Sequence, residues 1–182
     1  LATHNARDVV QQLLALGRAQ APRREPIDLN AHVESTIHLV RSSLPRGVHV
    51  EHQRAVSPLV QGDPVQLDQV LANLLINARD AVGARGEIHI DVDERVLGQD
   101  FVKDHPWARP GRFGHVAVRD DGCGIAPENL ARIFDPLFST KSRGTGLGLA
   151  VVSRVVAQHE GLLHCDSAPG RGTTFDVYLP AA

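Results

Sequence analysis

A chain of 182 residues, 42% hydrophobic and 22% charged, has the length and apolar content of one soluble domain with a packed core and room for an extra element. Its formal net charge of -2 excludes the basic excess that nucleic-acid binding requires. No apolar run approaches the ~20 residues that cross a bilayer, so no membrane contact is expected of these residues. Two cysteines, Cys123 and Cys165, are too few for a disulfide framework and fit a reducing, cytoplasmic setting. The opening Leu1 suggests a piece of a longer protein, so that a membrane segment or sensor domain could lie outside these residues. Arginine outnumbers lysine heavily, and only Lys103 and Lys141 are present, so a mechanism that calls on a lysine has little choice.

In chain order, residues 1 to 20 carry Val10, Leu13, Leu14 and Gly17 at helical spacing. The stretch APRREP (21–26) breaks that pattern and reads as a linker. A second helix is predicted from about Leu29 to Ser43 with Asp28 as its cap, followed by a short strand, VHVEH. The strongest helix is GDPVQLDQVLANLLINARDAV. Asp63 stands at its cap, Pro64 at the first helical position and Gln66 where a capping-box partner belongs. Its apolar face is Leu67, Val70, Leu71, Leu74, Ala78 and Ala81.

In EIHIDVDE, Ile88, Ile90 and Val92 alternate with His89, Asp91 and Asp93, the pattern of a strand with one buried face. FGHVAVRDDG is its expected partner. The intervening LGQDFVKDHPWARPGR reads as a polar surface excursion anchored by Trp107. PENLARIF gives a short helix and DPLFSTKSRG a loop. SRGTGLGLAVVSRV then places Gly144, Gly146 and Gly148 at the head of a helix that runs to about His159. LLHCDS and TTFDVYLP close the chain as two strands, with Phe175, Val177 and Leu179 turned inward.

Three places carry residues suited to chemistry. Asn73 and Asn77 lie on one helix face, and read either as surface amides or as neutral oxygen donors for Mg²⁺. RDDGCGI, at a strand end, is either a plain Asp-Gly turn or a site where a carboxylate accepts from the exocyclic amine of adenine. Lys141 and Arg143 lead into the glycine-rich loop, which is a mobile surface loop or a clamp that turns backbone N–H groups and cations on a triphosphate. Other motifs fail. Leu149 replaces the third glycine of a dinucleotide fingerprint, no glycine precedes a lysine as a Walker A loop requires, and HEGLLH misses the zincin spacing by one residue. His49 and His52, at a spacing of three on a strand, point to opposite faces and make no metal pair.

Taken in order, NLLINARDA, DDGCGI, IFDPLFSTK, GTGLGLA and GRGTTF resemble the N, G1, F, G2 and G3 boxes of the sensor histidine kinases. These kinases share a superfamily with DNA gyrase and the ninety-kilodalton heat-shock chaperone. The resemblance covers about residues 26 to 180. It implies an α/β fold, a two-layer sandwich of about five mixed strands with helices on one face, preceded by an N-terminal helix and holding ATP beneath a lid. It implies Asn77 as the Mg²⁺ ligand and Asn73 beside the phosphates, with Lys141 as a third catalytic residue. Asp120 matches the adenine-binding aspartate, with Gly122, Gly124 and Ile125 in its box; Asp121 stands where the family more often has asparagine. Phe134 and Phe138 match the F box. Arg143, Gly144, Thr145, Gly146, Leu147 and Gly148 belong to the lid, and Thr174 to the third box.

ARDVVQQLLALGRAQ resembles the second helix of the dimerisation and phosphotransfer hairpin. This divides the chain into a partial hairpin (1–22) and an ATP-binding catalytic domain (23–182). The first hairpin helix, which carries the phosphorylated histidine, is missing, and His4 does not match its box. The implied activity is transfer of the γ-phosphoryl of ATP to a histidine on its own or a partner subunit's hairpin. The implied partners are that hairpin, a response-regulator receiver domain and, in the full-length protein, a second copy in a homodimer. Two other readings are a nucleotide-binding pseudo-kinase and a clamp-type ATPase. The latter relatives carry a glutamate base where this chain has Asn73, and an amide takes no proton from water.

Overall fold

The structure is a computed structural model that describes residues 24–54, 56–141 and 144–182. The helix read over residues 1 to 20, most of the linker after it, His4 and Arg143 lie outside the described residues. Seven strands and five helices follow in chain order: β1 (Glu25–Asp28), α1 (Leu29–Arg41), β2 (Gly47–Arg54), β3 (Leu59–Gly62), α2 (Pro64–Val82), β4 (Arg85–Leu97), α3 (Gln99–Asp104), β5 (Gly111–Asp120), α4 (Pro127–Leu130), α5 (Gly148–Gln158), β6 (Leu162–Ser167) and β7 (Thr173–Pro180). Five strands form one mixed sheet in the order β2-β4-β5-β7-β6, with β2 parallel to β4 and the other pairs antiparallel.

The side-chain alternation of β4 determines the layers. Ile88, Ile90 and Val92 are each at most 1% exposed, and meet Leu67, Val70, Leu71, Leu74, Leu75 and Ala78 of α2 in the main core. Helix α2 is flanked by α1 and α5, so one sheet face is roofed by three helices. Asp28 caps α1 by accepting from the Ala31 N–H at 3.0 Å, and Asp63 caps α2 by accepting from Val65 and Gln66.

The capping box expected at α2 does not form. The N–H of Asp63 donates instead to Nε2 of His159 at 2.9 Å, and Oε1 of Gln66 is buried with no hydrogen-bond partner. His159 is 1% exposed and donates from Nδ1 to Val155 O, so its tautomer is fixed by its own helix end. A buried imidazole at the end of α5 thus does what a local glutamine was expected to do.

The linker expectation also needs correction. Residues 25–28 form β1, which pairs antiparallel with β3 in a separate two-stranded sheet, Pro26 opposite Gln61. Proline is tolerated there because the strand is an edge.

The excursion between β4 and β5 is more than one anchored aromatic. It folds into α3, and with Phe101, Val102 and Trp107 it covers Leu97, Ala108, Phe113 and Tyr178 on the sheet face opposite the three helices. Trp107 stacks on His164 at 4.6 Å between centroids, and β5 is consequently buried on both faces from Phe113 to Val118.

Candidate functional site

The site lies where β5 ends beneath α2 and the loop that precedes α5. Asp120 is the last residue of β5 and pairs with Ile88 on one side and Thr173 on the other, so its side chain points to the helix-covered face. It is 5% exposed and accepts from the Gly122 N–H at 2.9 Å. Burial holds its carboxyl above the ordinary carboxylate range, and the N–H groups of Gly122 and Thr173 oppose that only in part. A buried carboxylate with spare acceptor capacity suits a ligand that brings its own N–H donor.

The loop after Asp120 is pressed onto the C-terminal end of α2. Cys123 N–H donates to Ala81 O at 3.2 Å, and a Cβ on Gly122 would lie 2.5 Å from the Ala81 carbonyl carbon, so only glycine allows this approach. On its other side the Ile125 N–H donates to Ser167 Oγ at 2.9 Å and the Gly170 N–H to Cys123 O at 2.8 Å. Gly124, with φ +70°, lies against Ala168. Asp121 turns away from the cleft: its Oδ1 accepts from the Glu87 N–H at 2.8 Å and ties the loop to β4.

On α2, Asn73 and Asn77 share one face as expected. Asn73 donates from Nδ2 to Gln69 O at 2.8 Å, and its Oδ1 faces Gly148 at the start of α5. Asn77 presents Oδ1 to the ammonium of Lys141, 3.1 Å away. The same ammonium lies 3.0 Å from Oδ2 of Asp80, a residue sequence reasoning did not single out. Asp80 is buried enough to push its carboxyl upward, but hydrogen bonds from Arg79 and Lys141 outweigh that and hold it below the ordinary value.

The loop carrying Lys141 is closed at its base by the Leu137 N–H donating to Gly146 O at 2.9 Å. Gly146 has φ +67°, and a Cβ there would sit 2.4 Å from the Leu137 carbonyl carbon. Phe134 packs edge-on against Phe175, and Phe138 lies under the Arg132 guanidinium at 4.5 Å, so both aromatics seat the loop on the core. Gly144 continues the turn by donating to Lys141 O, and Thr145 Oγ1 accepts from the Leu147 N–H at 3.4 Å. Leu147 is fully buried and is the N-cap of α5, yet offers no side-chain cap. In contrast to α2, the first-turn amides of α5 are therefore left for something other than a capping side chain.

Thr174 is the one described site residue that the structure turns away. It pairs with Arg119 and Asp166 on the far face of the sheet, whereas Thr173, 4% exposed, pairs with Asp120 and contacts Ser167 Oγ at 2.9 Å. The period-two alternation of β7 puts adjacent threonines on opposite faces, and a one-residue difference in register decides which one reaches the cleft. Among the described residues no group of three or more His, Cys, Asp or Glu side chains could hold a metal ion, and no helix is long and apolar enough to cross a membrane.

The sequence profile of the family described as histidine kinase-, DNA gyrase B-, and HSP90-like ATPase matches residues 62–182, from the end of β3 through Asn77, Asp120 and the lid to the C-terminus. The chain is 37% identical over 178 residues to the signal transduction histidine-protein kinase AtoS of Escherichia coli K12, covering 94% of this chain and 26% of AtoS. It is 40% identical over 175 residues to the sensor histidine kinase ZraS of Klebsiella oxytoca, covering 94% of this chain and 35% of ZraS. It thus spans about a quarter to a third of these relatives. Its fold superposes on that of the mycobacterial sensor histidine kinase MprB with a TM-score of 0.70 at 26% identity, over 87% of this chain and 97% of that structure.

Proposed function

The chain belongs to the family of histidine kinase-, DNA gyrase B- and HSP90-like ATPases, and from that premise we propose that it is the catalytic ATP-binding part of a two-component sensor histidine kinase. The reaction moves the γ-phosphoryl of ATP to a ring nitrogen of a histidine on the phosphoacceptor hairpin, of its own or a partner subunit. A P–N bond forms as the P–O bond to ADP breaks. The phosphoryl then passes to an aspartate of a response-regulator receiver domain. The observation that carries this reading is Asp120, a buried carboxylate on the cleft side of β5, with Asn77 and Lys141 on the α2 side and uncapped α5 amides beyond the lid.

Each residue then has a task. Asp120 accepts from the exocyclic amine of adenine, which guanine replaces with a carbonyl. Lys141, Arg143 and the lid amides through Gly148 meet the phosphates. Asn77 Oδ1 already faces a cation, the Lys141 ammonium, and is the hard oxygen donor that would hold Mg²⁺. That ion would neutralise charge on the transferring phosphoryl. Asn73, bonded to Gln69 and packed against Gly148, offers no carboxylate to activate water, so transfer rather than rapid hydrolysis is the chemistry this site suits.

Calorimetry with Mg-ATP and Mg-GTP, then phosphotransfer from γ-labelled ATP to an added hairpin fragment, tests the proposal. ATP preference with transfer supports it. Equal binding of the two nucleotides overturns the adenine reader, and ATP binding without transfer by the full-length parent favours a pseudo-kinase.

A further inference from the structure

The Lys141 contact on α2 carries an inference that rests on the proposed nucleotide site and goes beyond its recognised residues. Asp80 divides its two oxygens. Oδ1 accepts from Nε and Nη2 of Arg79 at 3.0 and 2.7 Å, while Oδ2 accepts from the Lys141 ammonium at 3.0 Å. The guanidinium therefore fixes the carboxylate, and the carboxylate fixes the lysine. Lys141 is held at its other end too, because its N–H donates to Ser139 Oγ and its carbonyl accepts from Gly144. The only other lysine in the chain, Lys103, is bonded to Asp100 in α3, on the opposite side of the sheet, and cannot replace it.

We propose that Asp80 is a positioning residue for the outermost phosphate: it tethers the Lys141 ammonium beside Asn77 and keeps it within reach of the nucleotide. The ammonium rests against Asn77 Oδ1, the oxygen that would face Mg²⁺. Mg²⁺ held by that oxygen would compete with the ammonium for it and would repel it as a like charge. The Asp80 bond does not depend on that oxygen and would limit how far the four-carbon side chain swings. Without Asp80 the ammonium would sample solvent, and holding it at the phosphate would cost the rotamer freedom of a long side chain.

Calorimetry on the whole chain with Mg²⁺ tests this, using ADP and the non-hydrolysable AMP-PNP. The four proteins are wild type, Asp80→Asn, Lys141→Ala and the double variant. The quantity read is the preference for AMP-PNP over ADP, which isolates the terminal phosphate from the adenine pocket and from global folding. Asp80→Asn is expected to lower that preference about fivefold, in the range of a partly exposed charge contact. Lys141→Ala should lower it at least as much, and the double variant no further than Lys141→Ala alone, because Asp80 acts through the lysine. Asp80→Glu, which keeps the charge, should restore most of the preference. The inference is overturned if all four proteins bind ADP normally and Asp80→Asn keeps the wild-type preference, or if the two losses multiply in the double variant. A wild-type chain that does not bind ADP overturns the nucleotide site itself, and the inference with it.

Discussion

At the scale of single residues, burial and hydrogen bonding pull the Asp120 carboxyl in opposite directions. Burial raises its pKa, and two backbone N–H donors recover only part of the shift. A raised folded-state pKa means that the charged form is penalised in the empty domain, so this group's contribution to stability is largest in acid and lost as pH rises through that pKa. Adenine recognition has the opposite sign, since the amine needs an ionised acceptor. The increase in melting temperature given by Mg-ATP should therefore shrink as pH falls toward the ordinary carboxylate range, beginning above it because the carboxyl is raised. Asp120→Asn should lose about 1.5–3 kcal/mol of ATP binding, while the empty variant melts no lower than wild type at neutral pH. Thermal melts with and without ATP read both; an undiminished ATP shift in the variant would sink the adenine reader. Asn77→Ala makes a different statement. It should leave nucleotide binding in EDTA unchanged, remove the gain from added Mg²⁺ and abolish transfer. A full Mg²⁺ response in that variant would put the metal elsewhere.

At the scale of elements, the lid depends on one backbone conformation. Gly146 is left-handed and lies against the Leu137 carbonyl, so Gly146→Ala should break the Leu137–Gly146 closure. The strained position and the clash together cost about 1–3 kcal/mol locally. Nucleotide affinity should fall while the melt of the empty domain moves little; equal loss of both would show that Gly146 supports the core rather than the lid. The joint between α2 and α5 is built the other way, from a buried polar contact. His159→Phe leaves the Asp63 N–H without its acceptor and should cost about 1–3 kcal/mol in denaturant unfolding, with nucleotide selectivity intact. These elements also show which features were legible in the sequence. The helical period of α2, the Asp28 and Asp63 caps, the alternation of β4 and β7 and the glycines of the lid are local signals, and each survives in the fold. What was missed depends on contacts made far along the chain. β1 and β3 are four-residue strands whose only ladder is with each other, His159 reaches back across 96 residues to Asp63, and Asp80 gains meaning from a lysine 61 residues later. The choice between Thr173 and Thr174 depends on strand register, which composition does not reveal.

At the scale of the whole molecule, the sheet has a helix-covered face that carries the candidate site and an outer face that α3 and Trp107 cover only around Leu97, Phe113 and Tyr178. The histidines are distributed accordingly. None of the nine after residue 23 lies on α2, on α5 or in the 121–147 segment that holds the adenine loop and the lid. His159 is buried between α5 and α2 with both ring nitrogens in use, and His115 is buried between Asp93 and Asp176, at 3.0 and 2.9 Å. Phosphoryl transfer needs an acceptor nitrogen in line with the γ-phosphorus and within a few ångströms of it. On the proposed function the cleft holds the phosphoryl donor, none of the described histidines lies on the elements that line it, and the acceptor nitrogen is expected to come from another segment. Incubated with γ-labelled ATP and Mg²⁺, this chain should stay unlabelled, and an added phosphoacceptor hairpin should take up label in trans. Asn77→Ala should prevent that transfer and Asp120→Asn should weaken it at limiting ATP, which ties it to this site rather than to a contaminant. Label on the chain itself that disappears in His4→Ala would reverse the conclusion, making His4 an acceptor in a sequence context unlike that of the family's phosphorylated histidine.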